Sequence, residues 1–376
     1  MLEVVAKRCE NYDKNKIKQI IYNIFSSQRF LNKLNSLDSV LLKPNLLGPY
    51  PPDKGITTHP EFISAVIEIL KDYNIKISLF DCPGGTVKYK KVLNECGITY
   101  LSKKYDIKIL ETVQSGIKIF GNNPEYIISK PFVDCQSIIN LPKLKTHTLT
   151  IFTGAIKNFY GIIPGVAKSN YHRIAPNPTK FANIIVDIYS IVKDKIIFNI
   201  IDGIIGMDGD GPSSGDTKNF GVILGSYDAV ALDFCAARMM GYNPYKIPII
   251  KLAADKYNIS LQEIKLIGDF DKNYKLENVN INKSKITNKI LRFLSTPLKG
   301  IFKKLFWSHP DFLKEKCIKC GECVSFCPVS ALNINKVSPI PILDRDKCIL
   351  CMCCIEICSE NAAYLKKSIL GKFLIK

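Results

Sequence analysis

The sequence predicts a layered α/β domain with a mostly parallel sheet, followed by a small cysteine-rich domain. Two observations support this prediction. Short apolar runs alternate with amphipathic helical segments before the C-terminal region, as they do in layered α/β domains. Nine of the 14 cysteines fall after residue 316, so metal chemistry is concentrated there. We expect residues 1–282 to form the α/β domain, residues 283–316 a basic amphipathic linker, and residues 317–376 the cysteine-rich domain.

The elements of the α/β domain can be predicted in order. The apolar run 39–47 predicts a buried strand that Pro44 should end near Lys43. A helix should begin at residues 58–59, because Pro60 suits the first turn of a helix. Further strands are predicted near 75–80, 107–110, 126–128, 136–141, 196–201 and 220–224, and further helices near 88–96, 178–193 and 229–240.

Four segments rich in polar residues follow predicted strands. Packing of a hydrophobic core does not explain their polar residues. They are Lys43 to Asn45, Asp81 to Gly85, Leu141 to His147 continued by Gly154 to Gly161, and Asp202 to Pro212. In open α/β sheets, ligands bind outside the carboxyl ends of the strands. We therefore expect these four segments to meet at one edge of the sheet and to form a site.

The residue types in these segments suit an anion. Lys143 and Lys145 alternate and would share one side of an extended chain, while Lys157 follows a glycine-rich turn. His147 is a candidate general acid or base, because the reference pKa of histidine is near neutrality. A solvated lysine face and a structural histidine are the alternatives. The candidate catalytic residues are His147, Lys143 and Lys145, and the candidate substrate-binding residues are Lys43, Asn45, Asp81, Lys157, Asn158, Asp202 and Asp208.

The last polar segment holds Asp202, Asp208 and Asp210 among glycines. A flexible loop of this kind can supply oxygen ligands to a hard cation, but it does not match the calcium helix–loop–helix pattern. We favour the alternative, a Gly/Asp turn without a metal.

Two cysteine runs dominate the C-terminal region. Each has the spacing C-x2-C-x2-C-x3-C, which is typical of a pair of cubane iron–sulfur clusters. The last cysteine of each run binds the other cluster, so the spacing predicts two ligand sets for two 4Fe-4S clusters. These sets are Cys317, Cys320, Cys323 and Cys358, and Cys348, Cys351, Cys354 and Cys327. Zinc is the alternative, although structural zinc normally uses two separated cysteine pairs. Cys353 is an additional thiol, because only Cys354 keeps both spacings of the second run.

The net charge of +18 comes mostly from lysine. Nucleic-acid sites rely on arginine for bidentate contacts, and no recognised nucleic-acid motif occurs, so we expect no nucleic-acid partner. A basic surface attracts a small anionic substrate or an acidic redox partner protein. The sequence contains no run of about twenty apolar residues, so we expect no transmembrane segment. The first ten residues lack the apolar core of a signal peptide, so a reducing cytoplasm is expected.

The linker is basic and amphipathic and contains Trp307, the single tryptophan of the chain. It can pack one helical face on a neighbouring domain, or it can make peripheral contact with an anionic membrane surface. Packing is the reading that we favour, because Pro297 and Gly300 interrupt a long interfacial helix.

The cysteine runs and their surroundings, from Cys317 to Tyr364, resemble the bacterial-type two-cluster ferredoxin domain. Pro328 follows Cys327 as in that domain, whereas Ser359 replaces the usual second proline. The resemblance implies a ferredoxin-like fold with two 4Fe-4S clusters.

Six ordered segments of the large domain carry a second resemblance. They read K-P-N-L-L, T-H-P-E-F-I-S-A-V-I-E, N-L-P-K-L-K-T-H, G-A-I-K-N-F-Y-G, D-G-I-I-G-M-D-G-D-G-P and D-A-V-A-L-D. Together they resemble domain-of-unknown-function family 362 over residues 38–255. Members of that family are often fused to a ferredoxin module. The resemblance therefore implies a domain joined to electron-transfer machinery, and it names no substrate.

Three hypotheses about function follow. The protein is an oxidoreductase that passes electrons between its clusters and an anionic substrate or cofactor held at the strand-end loops. Alternatively, it is a non-enzymatic electron carrier or adaptor that docks a redox partner. A third possibility is that the clusters are structural or sense the redox state. No G-x-G-x-x-G motif follows a strand, so a Rossmann-type nicotinamide site is not expected.

Overall fold

The computed structural model describes residues 2–25, 28–85, 87–111, 116–119, 125–175, 177–281, 308–335 and 337–368. The strands of the large domain are β1 (Glu3–Arg8), β2 (Ser39–Pro44), β3 (Lys76–Leu79), β4 (Lys108–Ile109), β5 (Ile117–Ile119), β6 (Tyr126–Ile128), β7 (Ile138–Leu141), β8 (Lys143–His147), β9 (Ile151–Thr153), β10 (Ile196–Asp208), β11 (Asp216–Ser226) and β12 (Lys265–Gly268).

All of these strands except β5 and β6 form one sheet, in the order β12-β1-β11-β10-β7-β2-β3-β4, with β8 pairing with β10 and β9. The run β10-β7-β2-β3-β4 is parallel throughout, and β1 is parallel to β12. Strand β11 is antiparallel to both of its neighbours. The predicted α/β class with a mostly parallel sheet is confirmed.

Helices cover both faces of this sheet. They are α1 (Lys14–Phe25), α2 (Gln28–Asn35), α3 (Pro60–Lys71), α4 (Tyr89–Glu95), α5 (Ile98–Tyr105), α6 (Lys130–Asp134), α7 (Ala155–Asn158), α8 (Gly165–Ile174), α9 (Pro178–Val192), α10 (Ala229–Met239) and α11 (Pro248–Lys256). Successive strand residues point to opposite faces. Accordingly, Leu41 joins the core under α9, α10 and α11, while Val40 and Leu42 join the core under α1, α3, α4 and α5.

Local sequence explains where the elements near the site begin and end. Strand β2 ends at Pro44, one residue later than predicted, and proline has no backbone N–H to continue the ladder. Helix α3 begins at Pro60, and the His59 side chain caps it by accepting a hydrogen bond from the Glu61 N–H.

The prediction of a loop from Asp202 was wrong. Strand β10 continues to Asp208 and pairs with β11, and the segment before it forms strand β8 beside β10. The glycines here allow close contact between backbones instead of making a turn. A Cβ at Gly206 would lie 2.2 Å from the Leu144 carbonyl oxygen, and one at Gly203 would lie 2.8 Å from that of Val222.

The C-terminal module contains strands β13 (Ser308–Phe312), β14 (Leu332–Asn333), β15 (Ile342–Leu343) and β16 (Ala363–Lys367), and helices α12 (Glu322–Ser325) and α13 (Cys353–Glu356). Strand β13 pairs antiparallel with β16, and it lies within the range predicted as linker. The rest of that linker up to Trp307 lies outside the described residues. None of the helices described is both long enough and apolar enough to cross a bilayer.

Candidate functional site

The eight predicted cluster cysteines lie in two groups. Cys317, Cys320, Cys323 and Cys358 line one small cavity, the first thiol cavity. Cys327, Cys348, Cys351 and Cys354 line another, the second thiol cavity, together with Cys353. Burial, followed by the thiols of Cys358, Cys320 and Cys317, raises the pKa of Cys323 to about 12. The structure thus brings together the same two sets of four thiols that the spacing predicts.

The surroundings of these thiols fit iron–sulfur clusters. The Ala331 N–H donates to Cys327 Sγ at 3.2 Å, and the Ala362 N–H donates to Cys358 Sγ at 3.2 Å. Hydrogen bonds of this kind tune the reduction potential of a bound cluster. Burial, followed by neighbouring thiols, raises the pKa of Cys323 and Cys354, and binding a metal as thiolates relieves the repulsion among the thiols.

Cys353 lies close to the α/β domain. It is fully buried at the start of α13. Besides lining the second thiol cavity, it acts electrostatically on two residues of the α/β domain, Lys157 and Tyr160. Cys353 therefore marks the place where the second thiol cavity comes close to the α/β domain.

A larger cavity lies between the strand-end loops of the α/β domain and the C-terminal module. Its accessible volume is about 60 Å³, which is room for a few water molecules. We call it the lysine cavity. Among the predicted site residues, its walls contain Asn45, Asp81, Lys145, His147, Lys157 and Asn158, and the C-terminal module contributes Phe326, Glu356 and Ile357.

Helix α13 contacts the α/β domain closely beside the cavity. The Tyr50 hydroxyl lies 3.3 Å from the Cys358 carbonyl oxygen and donates to it. A Cβ at Gly85 would lie 2.5 Å from Ile357 Cδ1, and Gly85 also has a φ of +67°. Only glycine combines this backbone conformation with so close an approach. The D-C-P-G-G turn thus allows α13 to form one wall of the cavity.

The lysines of the cavity are held away from water, and burial lowers the pKa of each. The pKa of Lys145 falls to about 7, because burial and the nearby Lys157 and Lys143 disfavour its charge. Burial lowers the pKa of Lys168 to about 8 and lowers that of Lys157, while Glu356 acts in the opposite direction on Lys157. An anion in the cavity would stabilise the charged form of all three lysines.

His147 is fixed in one tautomer. Its Nδ1 accepts hydrogen bonds from the backbone N–H groups of Leu149 and Thr150, at 3.1 and 3.3 Å. The ring is therefore protonated at Nε2. Burial, followed by the nearby Lys157, lowers the pKa of His147 well below its usual range, so the ring is neutral. His147 is thus a hydrogen-bond donor at Nε2, and its role as a general acid or base stays a prediction.

Several buried polar atoms of the cavity make no hydrogen bond with the described part of the chain. They include His147 Nε2, Glu356 Oε1, His172 Nδ1 and Thr153 Oγ1. His147 Nε2 and Glu356 Oε1 face each other at 3.5 Å. Buried polar groups are nearly always hydrogen-bonded, so a cluster of unpartnered atoms in one cavity points to a polar ligand.

The other four candidates are not in the lining of the cavity. Lys43 forms a buried ion pair with Asp81, with Nζ 2.7 Å from Oδ1. Lys143 forms another with Asp202, also at 2.7 Å. Asp208 accepts a hydrogen bond from the Asn280 N–H at 2.9 Å. These contacts hold the strand-end loops in place beneath the cavity.

Sequence reasoning missed two functional candidates, Lys168 and Glu356. Lys168 is on α8 and donates to the backbone carbonyls of Cys82 and Pro83 in the D-C-P-G-G turn. Glu356 lies inside the second cysteine run, where the equivalent position of the first run is Ser325. A carboxylate at only one of two otherwise similar positions was the signal that could have singled out Glu356.

An α/β domain joined to a module with two groups of four cysteines defines an iron–sulfur protein of the electron-transfer class. The chain belongs to the family described as Domain of unknown function (DUF362), which matches residues 40–238, more than half of the chain. Residues 316–362 match a 4Fe-4S dicluster domain. Both family resemblances seen in the sequence are confirmed.

One curated relative is the thylakoid-associated protein sll1697 of Synechocystis sp., which is 31% identical over 214 residues. The match covers 56% of this chain and 65% of the relative, so the chain spans less than two thirds of that protein. Among solved structures, the lactate racemase apoprotein from Thermoanaerobacterium thermosaccharolyticum matches with a TM-score of 0.39 and 16% identity. That match covers 60% of this chain and 54% of the racemase, and a likeness of this size says nothing about function.

Proposed function

We propose that the protein is an oxidoreductase in which electrons pass between two 4Fe-4S clusters and a small anionic substrate or cofactor bound in the lysine cavity. One observation carries the proposal. The cavity is lined both by the strand-end loops of the α/β domain and by α13, the helix that bears Cys354. A ligand in the cavity would therefore lie next to the cluster ligands.

The cysteines of the two thiol cavities would hold the clusters. Cys317, Cys320, Cys323 and Cys358 would bind one cluster, and Cys348, Cys351, Cys354 and Cys327 the other. When bound, each cluster supplies or accepts single electrons. A substrate that gains two electrons would receive them one at a time, and it would take up protons from the cavity or from solvent.

The ligand would be recognised as an oxyanion. Lys157, which is half-buried, and Lys168, which is buried, supply positive charge, and the His147 Nε2–H supplies a directed donor. Lys145 would move a proton, because its pKa of about 7 lets the amine both hold and release a proton near neutrality. Glu356 would orient a hydroxyl or amine group of the ligand, because its Oε1 accepts no hydrogen bond from the residues that the structure describes.

The proposal can be tested with anaerobically purified, cluster-loaded protein. The clusters are reduced chemically, and a panel of small carboxylates and phosphate esters is added while the visible absorbance is followed. We expect at least one anion to reoxidise the clusters, and we expect Lys157→Met to abolish that reoxidation. The matched control is Lys251→Met, which removes an exposed lysine on α11. If every anion leaves the clusters reduced, the oxidoreductase proposal fails.

The second candidate function is that of an electron carrier or adaptor without its own substrate. The exposed thiol of Cys320 favours it, because a cluster near the surface can exchange electrons with another protein. The same experiment separates the two functions. A carrier would be reoxidised by protein partners only, and Lys157→Met would not change its rate.

A further inference from the structure

The lysine cavity is small, and hydrogen bonds fix its walls. Its accessible volume of about 60 Å³ holds a few water molecules, so a ligand with about as many non-hydrogen atoms fills it. Lys145 Nζ donates to Asn45 Oδ1 at 3.0 Å and to the Ile56 carbonyl oxygen at 2.7 Å. Lys168 is held in the same way by two backbone carbonyls of the D-C-P-G-G turn. The cavity therefore suits a ligand built on a single central atom.

The lining of the cavity contains more basic than acidic side chains. Its lysines and carboxylates are Lys145, Lys157, Lys168, Asp81 and Glu356. Asp81 already forms an ion pair with Lys43, which is not part of the lining. Three lysines therefore face one remaining carboxylate, and this balance favours an anion as the ligand.

A hydrogen-bond donor and an acceptor lie side by side in one wall. His147 Nε2 and Glu356 Oε1 are 3.5 Å apart, and neither atom forms a hydrogen bond with the residues that the structure describes. His147 carries its proton at Nε2, because its Nδ1 accepts from two backbone N–H groups. Two neighbouring oxygens of one central atom can satisfy this pair if only one of them is protonated. The bare oxygen accepts from His147, and the O–H donates to Glu356.

We propose that the ligand of the lysine cavity is an oxyanion with one central atom and at least one O–H group. Hydrogen sulfite and bicarbonate are members of this class with a reducible central atom, and hydrogen phosphate is a member without one. Glu356 determines the specificity, because an anion without a proton leaves its oxygen unpaired and sets two negative oxygens against each other. The inference rests on the anion site of the proposed function and narrows the ligand to one class.

The test compares anions of matched shape by calorimetry. Oxidised, cluster-loaded protein is titrated near neutral pH and at constant ionic strength, without a reductant. Phosphate and sulfate are both tetrahedral, and bicarbonate and nitrate are both planar, but only phosphate and bicarbonate carry an O–H. We expect phosphate to bind more tightly than sulfate, and bicarbonate more tightly than nitrate, by about tenfold or more, because a site built around a hydrogen bond rejects the analogue that lacks it. Pyrophosphate, with two central atoms, should bind less tightly than phosphate despite its larger charge.

Glu356→Gln keeps the shape of the side chain and adds a donor, so the preference for phosphate over sulfate should fall to within about threefold. The matched control is Glu360→Gln, which changes an exposed glutamate of the same module and should leave the preference intact. The bound iron of each variant is measured first. The comparison of anions in the wild-type protein decides the inference even if Glu356→Gln loads clusters poorly.

Three results would overturn the inference: equal affinities for phosphate and sulfate, tighter binding of pyrophosphate than of phosphate, and a preference for phosphate that persists in Glu356→Gln. The proposed function is tested separately by reoxidation. Anions that bind with the expected preference and never reoxidise the clusters would contradict the oxidoreductase and leave this inference standing. Reoxidation by an anion without an O–H, together with equal affinities, would do the reverse.

Discussion

Replacing Lys143 by methionine separates a structural role for this lysine from a catalytic one. Lys143 Nζ lies 2.7 Å from Asp202 Oδ2, and both side chains are fully buried. The same nitrogen donates to the Tyr12 hydroxyl at 2.8 Å. Methionine has nearly the same length and shape as lysine, so the substitution removes the charge and the donors without leaving a large cavity.

The expected loss of stability follows from what remains around Asp202. Removing one partner of a buried ion pair costs about 3–5 kcal/mol, because the other charge is left uncompensated. Asp202 keeps three donors after the substitution: the Tyr12 hydroxyl at 2.8 Å, the His59 N–H at 3.0 Å and the Ile204 N–H at 3.3 Å. We therefore expect the lower end, about 3 kcal/mol, which reduces the folding equilibrium constant by roughly a hundredfold.

The assay is urea unfolding of cluster-loaded protein under anaerobic conditions, followed by circular dichroism. Lys251→Met, on the exposed side of α11, should change the unfolding free energy by about 0.5 kcal/mol or less. Below its unfolding transition, Lys143→Met should still be reoxidised by the anion found in the screen. The structural assignment would be refuted if Lys143→Met kept wild-type stability and lost reoxidation, because that combination belongs to a substrate-binding lysine.

Three further predictions concern the lysine cavity and the second thiol cavity. The pKa values of Lys145 and Lys168 are lowered to about 7 and about 8, so each lysine is charged below its value and neutral above it. The affinity for the anion, measured by calorimetry, should therefore fall as the pH rises from about 6 to 9. Gly161→Ala should cost about 3 kcal/mol in urea unfolding, because its Cβ would lie 2.3 Å from Asp81 Oδ1 and would disturb the Asp81 ion pair; an unchanged midpoint would contradict this. Cys354→Ser should lose about half of the bound iron, whereas Cys353→Ser should retain all of it, as measured by metal analysis. Iron loss from Cys353→Ser alone would show that Cys353 is the cluster ligand and Cys354 the additional thiol.

The convergence of the strand-end loops could be predicted because it follows from topology. Parallel strands end at the same edge of a sheet, so the loops after β2, β3 and β7 meet whatever their exact sequences are. The periodicity of the apolar runs was enough to give these strands. Glycines near Asp202 misled the prediction, since a glycine that permits close backbone contact looks the same in a sequence as a glycine in a turn.

The division of labour among the lysines could not be predicted. Lys143 and Lys145 are two residues apart on one strand, yet Lys143 is neutralised by Asp202 while Lys145 lines the cavity. That difference depends on a partner 59 residues away in the chain. The tautomer of His147 likewise depends on how the backbone turns after β8, and no residue pattern encodes it. Long-range partners thus decide which members of a polar segment are structural.

The position of Glu356 limits how this protein could be re-engineered. Ferredoxin modules are natural parts for exchange, since many carry the same cluster-binding runs. Here, however, the module also supplies Glu356 and Ile357 to the wall of the lysine cavity. A transplanted module with a small residue at the position of Glu356 would still bind its clusters, but it would leave the wall of the lysine cavity incomplete. The predicted cluster ligand Cys354 and the cavity residue Glu356 are on the same short helix, α13, so a module exchange replaces both at once.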